Sequence, residues 1–189
     1  MKLIEEQTFT GKDIENRLFE IAQYELCKFN NIDFKGISLS EVKFVECEFI
    51  DCDLSMVRLT GAMLQEVKFI QCKMLGLLFE TVKPFLFNVS FDRCNLESTS
   101  FAGVNMENTK FNECKMVGAD FSETNMSGAI LHQCDLENAN FDQTILVKTD
   151  LRTAQNFSID TKENKANKAI VSADNLKGFL RNSGLDIRT

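Results

Sequence analysis

The chain has 189 residues, 44% of them hydrophobic, which is enough for one domain with a sizeable core. No apolar run is long enough to cross a membrane, and the N-terminus MKLIEEQTF lacks the basic and apolar regions of a signal peptide, so we expect a cytoplasmic protein with no membrane contact. The net charge of −7 disfavours direct binding to nucleic acid. Seven cysteines are an odd number, which favours reduced, buried thiols over a disulfide framework.

Apolar residues recur at every fifth position, a period that neither a helix nor a strand explains. Weak matches begin at Phe9, and strong ones run from Phe29 to Leu151. The one irregular spacing is the seven residues from Phe79 to Leu86, around the sole proline. A period sustained over this length predicts stacked units that bury their apolar groups against one another.

Glycine and cysteine follow the same period. Seven of the nine glycines lie two residues after an apolar centre, which predicts corners with positive φ. All seven cysteines lie two residues before a centre, and five of them recur about every twenty residues: Cys52, Cys72, Cys94, Cys114 and Cys134. Four five-residue sides therefore make one coil of a square prism. Phenylalanine centres concentrate in the first column, which contains Phe29 and Phe49, and in the third, which contains Phe101 and Phe121. Leucine or methionine fills most of the second column, with Leu54 and Met116, and of the fourth, with Leu64 and Met126; each side of the prism takes the number of its column.

This repeat resembles that of the pentapeptide-repeat family over roughly residues 9–155. The usual unit, Ala-Asp/Asn-Leu/Phe-x-x, occurs as ADF (119–121), CDL (134–136), ANF (139–141) and TDL (149–151). The resemblance implies an all-β fold, a right-handed quadrilateral parallel β-helix, here of about six coils. We expect this β-helix over residues 1–155, with one irregular seven-residue repeat near 80–86. Residues 156–189 are then a C-terminal capping or dimerisation segment with a short helix.

No pattern in the sequence predicts catalysis or a cofactor. In-register stacking places the Cβ atoms of neighbouring column cysteines about 4.8 Å apart with parallel vectors, which suits a disulfide poorly. With no CxxC and a single histidine, His132, we interpret the column as structural core thiols rather than a metal or redox site. Five aspartates recur one residue before a centre, which indicates a turn or solvent-facing role: Asp33, Asp53, Asp120, Asp135 and Asp150. We expect no enzyme and no cofactor.

One face of the predicted prism is acidic. Outward positions around the third column carry five carboxylates and only Arg58: Glu41, Glu80, Asp120, Glu123 and Asp142. Such a row is either an ordinary solvated face or a straight stripe that a basic groove of a partner could bind. Near the irregular repeat, Phe85 and Phe87 flank Leu86 and either pack beneath a bulge or form an exposed patch.

The five-residue period stops after Leu151. Ser172 and Gly184 are candidate caps of a short helix whose apolar stripe is Leu176, Phe179 and Leu180, and Leu185 and Ile187 alternate like a strand. This segment either caps the open end of the prism or pairs with a second copy across a two-fold axis. We predict a homodimer through it.

An acidic prism with such a tail is similar to the Qnr-type topoisomerase-protection and microcin-immunity members of the family, as are FTGKDIEN (9–16) and CDLSM (52–56). This resemblance implies a protein-binding solenoid that imitates DNA at DNA gyrase or topoisomerase IV and gives tolerance of quinolones or of a gyrase-directed toxin. The chain lacks the long loop insertions of Qnr proteins. Residues 1–160 carry 15 basic and 25 acidic groups, a net of −10, against roughly 18 charges on 30 Å of duplex, so the mimicry is weak. The alternative is a structural or scaffolding protein with another protein partner.

Overall fold

The computed structural model describes residues 1–14 and 19–180, which wind into stacked four-sided coils. Each side is a short extended segment whose alternate residues point inward, as Cys47 and Phe49 do on either side of the outward-facing Glu48. Eleven sides are long enough to form named strands: β1 Leu3–Glu5, β2 Thr8–Phe9, β3 Gln23–Glu25, β4 Lys28–Asn30, β5 Lys43–Val45, β6 Glu48–Ile50, β7 Met63–Gln65, β8 Val67–Ile70, β9 Val89–Asp92, β10 Lys110–Asn112 and β11 Ile130–His132. Three single-turn 3-10 helices lie at Gly11–Ile14, Phe79–Thr81 and Leu176–Phe179.

Every strand pairs in parallel with the strand one coil away. One sheet has the order β1-β3-β5-β7, and the other has the order β11-β10-β9-β8-β6-β4-β2. Phe49 pairs with Phe29 and Phe69, and single bridges such as Ser100–Asp120–Asn140 tie the remaining two sides in the same register. This pairing confirms the four columns and the prediction of an all-β, right-handed quadrilateral parallel β-helix.

Two phenylalanine columns run along the core. Within a column the rings stack, with centroids 4.7 Å apart for Phe29–Phe49 and 5.2 Å apart for Phe101–Phe121. Between the columns the rings meet edge to face, as Phe101 and Phe111 do at 6.0 Å. Both arrangements suit the aromatic quadrupole, so the columns hold each other in register.

The corners adopt positive φ, as the glycine spacing predicts. Gly103 and Gly118 have φ of 68° and 65°. Many corners nevertheless carry other residues in the left-handed region, among them Glu41 at 61° and Glu123 at 55°. The corner backbone N–H donates to the next coil, as Glu123 N does to the Asp142 carbonyl oxygen at 2.8 Å, and this bond offsets the cost of the conformation.

The irregular repeat is a bulge, and the prediction that Leu86 is an inward centre is wrong. Leu86 is 52% exposed with φ of 58°, whereas Phe87 packs against the Phe79 ring at 6.1 Å and takes the inward place. Phe85 is 68% exposed. The ladder reaches Lys83, whose N–H donates to Ala62, and it breaks at Pro84, which has no N–H to continue it.

Parallel pairing continues beyond residue 155. Lys165 pairs with Ile145, and Ile170 pairs with Asp150, while Phe157 and Ile159 are buried. The tail helix begins after Asn175 rather than at Ser172, because the Asn175 amide donates to the carbonyl oxygens of Leu151 and Ala154 and so fixes the chain to the last coil. Gly184 lies outside the described residues. Across residues 1–14 and 19–180, no helix has the length and apolar character of a membrane span.

Candidate partner-binding surfaces

The structure divides the acidic third side into a compensated part and an uncompensated part. The Glu41 carboxylate accepts a hydrogen bond from Lys83 Nζ at 2.8 Å and lies directly over Gly61, where a Cβ atom would overlap it. In contrast, no described cation forms an ion pair with Glu80, Asp120, Glu123 or Asp142. We call Asp120, Glu123 and Asp142, which lie on two adjacent coils, the acidic row.

Backbone and amide groups fix the acidic row in place. Asp120 Oδ1 accepts hydrogen bonds from Ser122 N and from Asn140 Nδ2, both at 3.0 Å. Asp142 follows Asn140, whose Oδ1 accepts from the Asp142 N–H at 3.1 Å. The Glu123 and Asp142 side chains are exposed, and Asp120 is half-buried. The row therefore presents carboxylate oxygens to solvent from an ordered backbone.

The turn role predicted for the recurring aspartates is observed. Each accepts a hydrogen bond from the backbone N–H two residues later, an Asx turn that closes the side before the corner: Asp33, Asp53, Asp120, Asp135 and Asp150. Asp150 also accepts from the Arg152 guanidinium, and this contact holds the pKa of its carboxyl below the usual value. These carboxylates are part of the repeat architecture.

Two further acidic residues of this surface were not predicted from the sequence. Asp160 and Glu163 line one shallow depression together with Asp142. They follow the last apolar centre, so the five-residue period assigns them to no side. Their recognition requires knowing that the coil continues to Ile170.

The cysteine column lies in the core, and all seven thiols are free and buried. Cys52, Cys72 and Cys94 donate from Sγ to the carbonyl oxygens of Phe29, Phe49 and Phe69, at 3.2, 3.3 and 3.3 Å. Cys134 reaches Phe111 at 3.6 Å, and Cys114 contacts its own side at Asn112.

The surroundings of these thiols favour a structural role. Burial raises the pKa of the Cys47 thiol to about 12. Thr124 and Thr144 occupy the same position of the five-residue unit on the fourth side and donate likewise. Among the described residues no cluster of three or more potential metal ligands occurs.

The described part of the tail contacts its own prism. Phe179 is half-buried and meets Phe157 edge to face at 5.4 Å, and the Gly178 carbonyl accepts from Ile159 N at 2.9 Å. Leu176 is 46% exposed, and Leu180 is half-buried. Leu185 and Ile187 lie outside the described residues. These contacts are those of a cap, and pairing with a second copy stays a prediction.

Comparison with known sequences decides the family. The profile of the pentapeptide repeat region matches residues 22–83 and 85–157, on both sides of Pro84. The chain belongs to the pentapeptide-repeat family. Its solenoid members are generally non-enzymatic. No curated protein sequence matches the chain.

Three solved structures of pentapeptide-repeat proteins are similar to this one. A trypsin-treated variant of QnrB1, described as a plasmid-mediated fluoroquinolone resistance protein, is 18% identical with a TM-score of 0.59, and the match covers 100% of this chain and 99% of that chain. HetL, from the cyanobacterium Nostoc sp. strain PCC 7120 and involved in heterocyst differentiation regulation, is 15% identical with a TM-score of 0.45, covering 89% and 84%. Rfr23 from the cyanobacterium Cyanothece 51142 is 12% identical with a TM-score of 0.33, covering 85% and 96%. At these identities, the likeness to QnrB1 establishes a shared fold.

Proposed function

We propose that this pentapeptide-repeat protein is a non-enzymatic binding rod whose acidic row docks on the basic DNA-binding surface of a type II topoisomerase. By modulating DNA gyrase or topoisomerase IV in this way, it gives tolerance of quinolones or of a gyrase-directed toxin. The observation that carries the proposal is the acidic row itself, in which Asp120, Glu123 and Asp142 are held by backbone contacts and have no described cationic partner.

The spacing of the row suits a surface that binds DNA. Successive coils are about 4.8 Å apart, and phosphates along one DNA strand are about 3.4 Å apart along the helix axis. A straight carboxylate row on a rigid backbone therefore offers negative charge at a spacing similar to that of one strand. Because the acidic row has few charges, it contributes to the orientation and the association rate of the complex more than to its affinity.

The likeness to QnrB1 supports the choice of enzyme for the test. QnrB1 shares the fold along its whole length and is described as a fluoroquinolone resistance protein. Type II topoisomerases are therefore the first enzymes to assay.

The experiment compares two triple variants with the same change of charge. The row variant is Asp120→Asn, Glu123→Gln and Asp142→Asn, in which the amide introduced at position 120 retains the Asx turn. The control is Asp51→Asn, Glu107→Gln and Glu113→Gln, three exposed carboxylates on other sides without a described ion pair. Gyrase and topoisomerase IV supercoiling, decatenation and DNA-cleavage assays are run with and without a fluoroquinolone.

We expect the unaltered protein and the control to shift the drug concentration needed for half-maximal cleavage, and the row variant to lose that shift. If excess protein changes neither activity nor cleavage, and no binding to either enzyme is measured, the topoisomerase proposal is wrong. Capture of one dominant, non-topoisomerase partner would then support the scaffolding alternative.

We propose in addition that the protein acts as a homodimer through its tail. Leu176 is the exposed residue of the predicted apolar stripe, whereas Phe179 is engaged by Phe157. Leu176→Asp should convert the dimer to a monomer in light scattering, and Leu78→Asp, at a similarly exposed leucine on the third side, should not. A monomeric unaltered protein would refute dimerisation.

A further inference from the structure

The fourth side of the last three coils is basic and carries no carboxylate. Lys148, Lys165 and Lys168 are exposed there, and none forms an ion pair with a described carboxylate. We call the outward polar residues of this stretch the lysine strip: Asn125, Ser127, Lys148, Lys165, Asn167 and Lys168. It lies beside the acidic third side.

The ladder aligns the lysine strip along the prism axis. Asn125 pairs with Ile145, and Ile145 pairs with Lys165, so these three sides stack. Lys148 N donates to the Asn167 carbonyl oxygen at 3.1 Å. Lys148 and Lys168, with φ of 58° and 60°, occupy the same corner of adjacent coils. The strip thus spans two coil rises, about 10 Å.

The amide groups of the strip face outward as donors. Asn125 Oδ1 accepts from Ser127 N at 3.1 Å and from Ser127 Oγ at 2.7 Å, which leaves the Nδ2 end of the amide to project. On other sides an asparagine amide donates to an aspartate of the neighbouring coil, as Asn112 does to Asp92 and Asn140 does to Asp120. The strip has no aspartate that could accept in this way. It is a surface of cations and outward-facing donors.

We infer that the lysine strip binds the phosphate backbone of duplex DNA, independently of base sequence. Lysine, asparagine and serine side chains are common phosphate ligands. A length of about 10 Å faces roughly three phosphates of one strand. A duplex offers acceptors at regular spacing along a line, which matches a straight, regularly spaced donor strip better than the irregular carboxylates of a protein surface do.

The net charge of −7 does not oppose this binding, because it averages over four sides. Lys148 and Lys168 occupy the far corner of the fourth side, about 10 Å from the corner of Glu123, and the Debye length at physiological salt is about 8 Å. The acidic row is therefore partly screened from a duplex bound at these two lysines. The sequence-based exclusion of nucleic acid rested on that average. The inference does not rest on the proposed topoisomerase function.

The test is fluorescence anisotropy of a labelled duplex of about 30 base pairs with the full chain over a series of salt concentrations. We expect a Kd of about 10⁻⁶–10⁻⁴ M and a slope of log K against log salt of about −2.7 for three lysine–phosphate contacts. Lys148→Ala, Lys165→Ala and Lys168→Ala together should weaken binding at least tenfold and flatten the slope. The control triple on the first side, Lys28→Ala, Lys68→Ala and Lys110→Ala, makes the same change of charge and should retain the affinity within about threefold.

A second pair of variants tests the donor geometry. Asn125→Asp places a carboxylate in the strip, and Asn95→Asp makes the same change on the second side, where Asn95 Oδ1 accepts from Glu97 N in the same turn. Aspartate forms this turn elsewhere in the chain, as at Asp53, so both variants should fold. We expect Asn125→Asp alone to weaken DNA binding, by about fivefold for one added repulsion of about 1 kcal/mol.

Three results would overturn the inference. One is no saturable DNA binding by the unaltered chain at low salt, and another is equal weakening by the two lysine triples. The third is tighter, lysine-dependent binding to polyglutamate or to phosphatidylglycerol vesicles than to the duplex, which would assign the strip to an acidic protein or a membrane. Since no topoisomerase is present in these measurements, this proposal and the topoisomerase proposal fail or succeed separately.

Discussion

The two halves of the prism join neighbouring coils by different means. In the N-terminal half, ion pairs cross the coils: Lys28 and Lys68 both reach Glu48 at 3.1 Å, and Glu41 contacts Lys83. In the C-terminal half, amides cross them, as Asn112 does to Asp92 and Asn140 does to Asp120.

The difference determines which charges are available to partners. Among the described residues of the N-terminal half, six lysines neutralise four carboxylates, and the resulting surface is mixed. In the C-terminal half an amide joins the coils without using a cation, although Lys115 and Glu97 form an ion pair on the second side. The acidic row and the lysine strip both lie in this half, on adjacent sides. The ion-paired charges of the first half therefore have a structural role, whereas the acidic row and the lysine strip are the surfaces for which we propose partner contacts.

The largest expected effect is the loss of a core phenylalanine, and it tests whether the two halves also differ in core packing. Phe49 stacks between Phe29 and Phe69, and Phe121 stacks between Phe101 and Phe141, all with centroids 4.7–5.3 Å apart. Because the two environments match, Phe49→Ala and Phe121→Ala should each lower the free energy of unfolding by about 3–5 kcal/mol in denaturant titrations. An unchanged denaturation midpoint for either variant would contradict the placement of that phenylalanine in the core. A large difference between the two variants would show that the two halves also differ in their core packing.

A smaller loss is expected at the C-terminal cap. A Cβ atom on Gly178 would overlap the Phe157 ring, so Gly178→Ala must displace the tail from the last coil. We expect a loss of about 1–3 kcal/mol, typical of overpacking. Lys177→Ala, at the exposed neighbouring position, is the control. Equal stability of the two variants would show that the cap contributes little.

Each hydrogen bond from a side chain to a carbonyl oxygen of the preceding coil should contribute about 1 kcal/mol to the free energy of unfolding. On the fourth side, Thr124 Oγ1 donates to the Phe101 carbonyl oxygen at 2.7 Å, a bond that the cysteine column forms with thiols on the second side. Thr124→Val removes the donor at similar volume and should lower the unfolding free energy by that amount. Thr124→Cys restores a weak donor and should cost less. A larger loss of stability for Thr124→Cys than for Thr124→Val would show that threonine and cysteine are not equivalent at this position.

The smallest effect is the pH dependence of the Glu48 ion pairs in the N-terminal half. Hydrogen bonds from Lys28 and Lys68 lower the pKa of the Glu48 carboxyl in the folded state. Its stabilising contribution is therefore full above the unfolded pKa of about 4.3 and is lost as the pH falls through the lower folded pKa. Each of these two surface ion pairs should be worth under about 1 kcal/mol.

The measurement compares Glu48→Gln with the unaltered chain by thermal unfolding at several pH values. The difference should be present at pH 7 and disappear toward about pH 3. Glu113→Gln, at a carboxylate without a described ion pair, should show no such trend. A Glu48→Gln difference that persists in acid would remove the ion-pair explanation.

The repeat allowed most of the fold to be predicted from sequence, because position in the five-residue unit determines burial. The centres Phe101 and Phe121, the positive φ at Gly103, and the Asx turn at Asp120 all follow from that position. The prediction is wrong at Leu86, because spacing alone does not show that Pro84 breaks the ladder and that Phe87 turns inward.

The surface was less predictable, because charge compensation depends on residues far apart in sequence. Glu41 is neutralised by Lys83, 42 residues later, and no local pattern indicates it. The lysine strip was not predicted from the sequence, because Lys165 and Lys168 follow the apolar period and lie in the segment assigned to the tail. Their side became evident only from the bridge between Ile145 and Lys165.

The register of twenty residues per coil makes this rod a molecular ruler. Duplication or deletion of one complete coil would change the length of the rod by about 4.8 Å. All remaining residues would stay on their original sides. An insertion of any other size would rotate all later residues to new sides unless a bulge absorbed it, as the segment at Pro84–Phe87 absorbs two residues. The distance between two binding surfaces can therefore change in evolution by whole coils, while the chemistry of each side is preserved.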